Sequence, residues 1–561
     1  MRLLIFGLII ITQCAFAQNP YPQDYFRSPL DIPLVLAGTF AELRSNHFHS
    51  GLDIKTQQTE GLKVYAAADG YVSRIKVSFY GYGKALYITH PNGYVTVYAH
   101  LKKFSEPIET LIKQEQYKNQ SFEIELFPEA GKLEVSKDEV VAFSGNTGGS
   151  AGPHLHFEIR DKSETPINPM LFGIGSADST RPKLVSVFAY PLEEDSHVNS
   201  TNESIELRLR PQSVGNYIAE SIEAYGAIGF GIETYDRLDL ASNKNGVYNI
   251  QTFFNGNRSI EIDFKKFTFN ETRHLNRLID YEYYSTKRKR IQKLFIQPNN
   301  PLSLYTYKHE NGIIRIQDSL SGVYKVRVRD YDNNEIWLTI PIKGKKRADY
   351  KRKIIKATDH FLYANQPTTL EKGNVTVTIP KNTFYDDFFI DFNVSNDTLK
   401  LHQPTIPAQK NFSINFDISH YQEKDRRQLY LASVSKYGKL YYSRTINKGN
   451  ILTTKTKYLG TYTIATDATP PTIEPINVQE NKWISNYRYL KLKIDDEESG
   501  INSYRATING KWILMEYDYK KNSLIYDFND NIIADTKNNL RVIVTDNVGN
   551  SSTFETTFYR K

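Results

Sequence analysis

The chain has 561 residues, a formal net charge of +7 and a pI near 8.9. That length exceeds what one hydrophobic core usually supports, so several domains are expected. The single cysteine, Cys14, lies in a leader-like segment, which excludes disulfides, thiolate nucleophiles and cysteine-held metals from a processed chain.

In chain order, residues 1–17 read as a secretory signal: Arg2 supplies the positive start, Leu3 to Ile11 the apolar stretch, and Ala15-Phe16-Ala17 the cleavage pattern. The apolar run is far shorter than the roughly 20 residues that cross a bilayer. Gln13 stands where a lipoprotein signal places a small residue before its cysteine, so lipidation at Cys14 is disfavoured.

From Val64 to Leu101, apolar and polar residues alternate between the turn signals Asp69-Gly70, Gly81-Tyr82-Gly83 and Asn92-Gly93, a pattern of hairpins. Residues 106–119 are spaced more like a short helix, and a strand-like Phe122 to Phe127 follows. The stretch 106–128 reads as an insertion between β elements. Beyond Asn168-Pro169 the texture becomes rich in Tyr, Phe, Ile, Val and Thr broken by Asn, Asp and Gly, which predicts β-sandwich modules. The expected organisation is a β domain over 18–175, sandwich modules over 176–345 and 346–468, and an immunoglobulin-like module over 469–561. Two strands, Gly322 to Asp330 and Leu540 to Asp546, both end in acidic turns. The turns Asp330-Tyr-Asp332-Asn-Asn334 and Asp495-Asp496-Glu497-Glu498 suit calcium in charge, but the first lacks the glycine of a calcium loop, and plain turns are the preferred reading.

Six of the twelve histidines fall between residues 47 and 156. In Pro153-His154-Leu155-His156-Phe157-Glu158-Ile159 the two-residue period puts His154, His156 and Glu158 on one face and the apolar residues on the other. In His49-Ser50-Gly51-Leu52-Asp53-Ile54 the same period groups His49, Gly51 and Asp53, with Gly51 leaving room between two potential ligands. A third strand, Val95 to Leu101, carries His100 on the face of Tyr98 and Thr96. A catalytic zinc takes three N or O ligands and keeps one position open, and His49, Asp53 and His156 would satisfy that. His154 is then the candidate base.

These segments resemble the lysostaphin/LytM-type metallopeptidases. The matching residues are His49-Ser-Gly51-Leu-Asp53, Tyr98-Ala-His100-Leu101, and the glycine-rich Ser144 to Gly152 leading into Pro153-His154-Leu-His156-Phe-Glu158. The resemblance covers about residues 40 to 170. It implies one Zn2+ per chain on His49, Asp53 and His156, with His154 as general base and His100 polarising the scissile carbonyl. It further implies an antiparallel β metallopeptidase domain; with the β-sandwich modules read from the texture beyond residue 168 the chain is expected to be mainly β, and the leader pattern sends it to the periplasm or cell envelope or secretes it. The expected activity is hydrolysis of peptide bonds in peptidoglycan cross-links or stem peptides. The family's degenerate members, which lost ligands and activate other wall hydrolases, are the rival class, together with an envelope scaffold whose C-terminal modules bind other envelope proteins. No ligand is missing here, which favours the enzyme.

The insertion departs from the family pattern and leaves three roles open: capping the groove, selecting the substrate or holding the enzyme latent. Several lookalikes fall away. Gly148-Gly-Ser150-Ala-Gly152 matches a serine-hydrolase pattern but is followed by Pro153 and a strand where that motif needs a helix. His47 shares the strand face of His49 in the alternating reading, yet the glycine two positions after His49 selects the latter. His90 precedes a turn and reads as structural. The basic runs Lys287 to Arg290 and Lys345 to Arg347 are solvated faces, and no nucleic acid is expected as a partner.

Overall fold

The computed structural model describes residues 20–561. The signal expected over residues 1–17 lies outside the described residues. Among those described, no helix is long and apolar enough to cross a membrane.

The N-terminal part is built from β1 (Leu36–Gly38), β2 (Leu52–Lys55), β3 (Lys63–Tyr65), β4 (Gly70–Val77), β5 (Lys84–Thr89), β6 (Val95–Ala99), β7 (Lys103–Phe104), α1 (Glu106–Asn119), β8 (Ile124–Leu126), β9 (Glu134–Val135), β10 (Val140–Phe143), β11 (His154–Arg160) and β12 (Pro166–Ile167). The main sheet runs β1-β2-β11-β6-β5-β4-β8, and β3-β10-β7 form a small second sheet. Every pair in both is antiparallel. Leu52, Ile54, Leu155, Phe157 and Tyr98 alternate into the core and are fully buried. Their sequence neighbours are thereby sent to the opposite face, where the histidines gather.

Two of the three expected hairpin turns are found: Gly81 to Gly83 joins β4 to β5, and Asn92-Gly93 joins β5 to β6. The third signal, Asp69-Gly70, instead begins β4 after a change of sheet, since β3 pairs with β10. A Cβ on Gly70 would lie 2.4 Å from the Thr89 carbonyl oxygen, so close strand approach accounts for that glycine. The expected helix is α1, opened by Pro107 in its first turn with Glu106 and Glu109 and closed by Gln120 in a left-handed conformation.

The strands from Lys183 to Gly344 form one 13-stranded sheet. Its core is continuous with that of the N-terminal domain, a single buried cluster reaching from Phe26 to Ile342. Residues 360–466 make two five-stranded sheets and a two-stranded one around a separate core, and residues 472–559 make a four-stranded and a five-stranded sheet around a third. The chain is mainly β throughout.

Candidate metal centre

The antiparallel register places His156 directly opposite Asp53 on β2 and opposite Ala99 on β6. Directly opposed residues project to the same face, so the Asp53 carboxylate and the His156 ring meet. His49, just before β2, completes the group. His49 Nε2 lies 3.0 Å from His156 Nδ1 and 3.0 Å from Asp53 Oδ1, and the last two atoms are 2.9 Å apart. Donors around a tetrahedral zinc at about 2.0–2.1 Å stand about 3.3 Å from one another, so this triangle needs only a slight opening to grip one ion. Two imidazoles and one carboxylate are also the donor chemistry such an ion takes.

Each of the three candidate ligands is held from behind. The His49 Nδ1–H donates to the Thr39 carbonyl over 2.7 Å, which turns the Nε2 lone pair inward. Arg44 donates to Asp53 Oδ2 over 2.9 Å, leaving Oδ1 for the triangle. His156 Nε2 pairs with Glu158 Oε1 at 2.7 Å. Glu158 is wholly buried and also accepts from Ser50 over 2.7 Å, from Arg160 over 2.6 Å and from the Tyr82 hydroxyl. Burial alone would raise the Glu158 pKa, but Arg160 and His156 hold it well below the usual carboxylate range. Burial likewise works against a charged His156, yet its bonds to Asp53 and Glu158 prevail and lift it to about 9. A cation entering the triangle must therefore displace a proton from this ring.

His154 and His100 stand beside the triangle. His154 Nδ1–H donates to the Gly152 carbonyl over 2.8 Å, and its Nε2 lies 3.4 Å from Asp53 Oδ1. His100 Nδ1–H donates to the Thr147 carbonyl over 2.8 Å. Burial and the neighbouring His156 and His154 push the His100 pKa down to about 3. Because a carbonyl only accepts, both rings carry their proton on Nδ1 and offer Nε2 as a lone pair. All five residues line a groove of about 1350 Å³ that is also lined by Phe269, Thr272 and Arg290 from the connection between the strands Asn257–Asp263 and Gln292–Lys293 of the large sheet.

Three sequence expectations need correction. His100 does not share the face of Tyr98. Tyr98 opposes Phe157 and points into the core, whereas His100 follows the end of β6 with a φ of +60°, and this left-handed turn swings its ring to 4.8 Å from that of His154. No strand runs through His47 and His49, so alternation does not relate them; His47 is exposed on the turn preceding His49. Gly51 serves a different purpose from spacing ligands: a Cβ there would lie 2.3 Å from the Phe157 carbonyl oxygen, blocking the approach of β11.

His90 is structural, bonded to the Asp69 carbonyl and to Thr96 at 2.8 Å each. Ser150 turns its hydroxyl into its own loop, donating to Gly152 O over 2.7 Å. Sequence reasoning missed Thr39, Arg44, Tyr82 and Arg160. Of these only Arg160 left a signal, since it continues the alternation of residues 154, 156 and 158.

Residues 47–117 match the model of Peptidase family M23. The N-terminal domain is an M23 peptidase domain. Two curated relatives resemble the M23 region. The DD-carboxypeptidase/endopeptidase Mpg of Neisseria meningitidis serogroup B is 31% identical over 28% of this chain and 29% of its own. The peptidoglycan DD-endopeptidase ShyA of Vibrio cholerae serotype O1 is 30% identical over 28% of this chain and 30% of its own. The chain thus spans under a third of the length of the curated relatives it matches. A crystal structure of a zinc-containing peptidase from Vibrio cholerae aligns with 26% identity over 26% of this chain and 40% of that one, at a TM-score of 0.20. Residues 359–467, far from the M23 domain in sequence, match the model of a Zu5-like domain.

Proposed function

We propose that this chain is an exported, zinc-dependent endopeptidase that cuts peptide bonds in the cross-links or stem peptides of peptidoglycan. The observation that carries this reading is the triangle of His49 Nε2, Asp53 Oδ1 and His156 Nδ1 at the floor of an open groove, with two further imidazoles beside it. The wall substrate is supported by the names of the relatives of the M23 domain, and export by the leader pattern of residues 1–17.

Zinc held at His49, Asp53 and His156 would supply a Lewis acid and bring the pKa of water to about 7. His154 takes the proton of the attacking water on Nε2, the lone pair that its Nδ1 bond to Gly152 leaves facing the groove, and returns it to the leaving amine. His100 turns its Nε2 to the groove, where it would hydrogen-bond to the scissile carbonyl only as the imidazolium, since its Nδ1–H is spent on the Thr147 carbonyl. Arg44 holds Asp53 in place, and the groove walls orient the extended peptide.

Digestion of purified peptidoglycan by the processed chain tests the proposal. Release of new amino termini is expected, stopped by a chelator and restored by zinc. His154→Ala should cut turnover by about 10² or more while zinc remains bound. Stoichiometric zinc with an intact wall would instead favour the scaffold reading.

A further inference from the structure

A second convergence of acidic side chains lies where the M23 domain meets the large sheet. Asp178 sits on the connection leaving the M23 domain, Asp236 follows the strand Ile222–Tyr235, and Asp330 follows the strand Ser321–Arg329. One carboxylate oxygen from each lies within 4.8 Å of the other two. Calcium binds oxygens at about 2.4 Å, so three donors within that span can reach one ion.

Acidic clusters are common, and the independent observation here is the state of Asp236. It is 3% exposed, and its Oδ1 has no hydrogen-bond partner. Asp178 Oδ2 is also unpartnered. Both residues line a cavity of about 20 Å³, together with Asp330, Asp332, Thr39 and Asn168, and no Lys, Arg or His is among the described residues lining it. That volume admits about one water-sized particle. Buried carboxylates without a cationic partner are costly unless they coordinate a metal. Burial, with repulsion from Asp330 and Asp178, pushes Asp236 up to about 8; burial with Asp239 beside it pushes Asp178 up to about 6, and burial with Asp178 and Asp332 nearby does the same to Asp330.

We propose that Asp178, Asp236 and Asp330 bind one calcium ion that pins the M23 domain to the large sheet. The donors are all oxygen, which disfavours zinc, and the cavity is too small for the several waters that magnesium retains. The ion would sit among contacts that already join the two bodies. Tyr331 donates to the Met170 carbonyl over 2.6 Å, and the Gly246 N–H donates to the Thr39 hydroxyl over 3.0 Å. Thr39 is also the residue whose carbonyl holds His49, so the calcium site and the metal centre share a support.

A related triad, Asp467, Asp496 and Asp546, recurs at the junction before the last two sheets. Asn334 Nδ2 ties Asp330 Oδ2 to the Asp178 carbonyl at 2.8 and 2.9 Å, and Asn550 Nδ2 ties Asp546 Oδ2 to the Asp467 carbonyl at 2.8 and 3.0 Å. In that second triad both oxygens of Asp467 and of Asp546 already accept hydrogen bonds. The orphaned oxygens single out the first triad as the one that needs an ion.

Calcium binding to the zinc-loaded full chain, counted by equilibrium dialysis and read by thermal melting, tests the site. Calcium should raise the melting temperature, and magnesium at equal concentration should not. Asp236→Asn, which keeps the side-chain shape, should bind one calcium fewer per chain and lose the rise. Asp178→Asn, on the connection outside the strands, should do the same and serves if the first variant folds poorly. A wild-type chain that binds no calcium, an equal response to magnesium, or unchanged calcium stoichiometry in both variants would overturn the assignment.

Discussion

At the scale of single residues, the candidate metal centre depends on side chains that never face the groove. Glu158 fixes His156 through Nε2 and so aims Nδ1 at Asp53. Replacing it by Gln removes the charge that orients the ring while Arg160 keeps a partner in Glu164 at 2.7 Å. Glu158→Gln should therefore weaken zinc binding about 10- to 100-fold in competition with a chelator of known affinity. Equal affinity in the two proteins would remove Glu158 from that role. The grouping of His154, His156 and Glu158 was legible because strand alternation is a two-residue rule applied to adjacent positions. The placement of His100 was not, because a single left-handed φ at the end of β6 reverses its face and leaves no mark in composition or spacing. Arg44 and Thr39 were hidden for another reason: their work is done through a carboxylate and an imidazole whose positions had first to be known.

At the scale of elements, β2, β11 and β6 act as a rigid comb, and the register between them decides which side chains meet. Patterns written within one element were readable, including α1 with its early proline and acidic first turn. Pairings between elements were not, and the short strand Gln292–Lys293 shows what that conceals. It pairs with Gly231 and Ile232, and Lys293 is consequently buried. Burial, with repulsion from Arg277, lowers the Lys293 pKa to about 7. An unfolded lysine titrates near 10.4. As pH falls from about 10 towards 7 the unfolded chain gains a proton that the folded chain refuses, so the folded state loses stability across that window and the loss levels off below it. Lys293→Met should raise the melting temperature by an amount that grows as pH falls from 10 to 7 and stays level below 7. A gain of constant size across melts at pH 6 to 10 would show that Lys293 stays charged in the folded protein.

At the scale of the whole molecule, the C-terminal module folds back on the M23 domain, a contact between residues some 400 apart that sequence patterns do not encode. The inserted helix α1 is its platform and does not line the groove. Lys113 and Tyr117 both bind Asp530, the latter at 2.7 Å, and Tyr117 packs edge-on against Trp512. Buried Lys84 on β5 pairs with Glu516 at 2.9 Å. The hairpin beyond Glu516 reaches the glycine-rich loop, where the Tyr519 hydroxyl donates to Gly148 O over 3.2 Å and Lys520 donates to Ser150 O over 3.1 Å. That loop carries His154, so the last module supports the proposed base from outside the groove. Removing Glu516 leaves the Lys84 ammonium buried without its carboxylate, a cost of about 3 kcal/mol, at the low end for a broken buried pair because Glu516 is partly exposed. Losing Asp530 as well strips the helix platform of its acceptor. The double variant Glu516→Ala/Asp530→Ala should release the module: the maximum dimension in small-angle scattering should grow and proteolysis near Thr469-Pro470-Pro471 should quicken. Zinc content should stay at the wild-type level, since no ligand or ligand partner is touched. Turnover should fall through kcat as the loop loses its outer support. Wild-type scattering in this variant would mean that the module is held by contacts other than these two carboxylates.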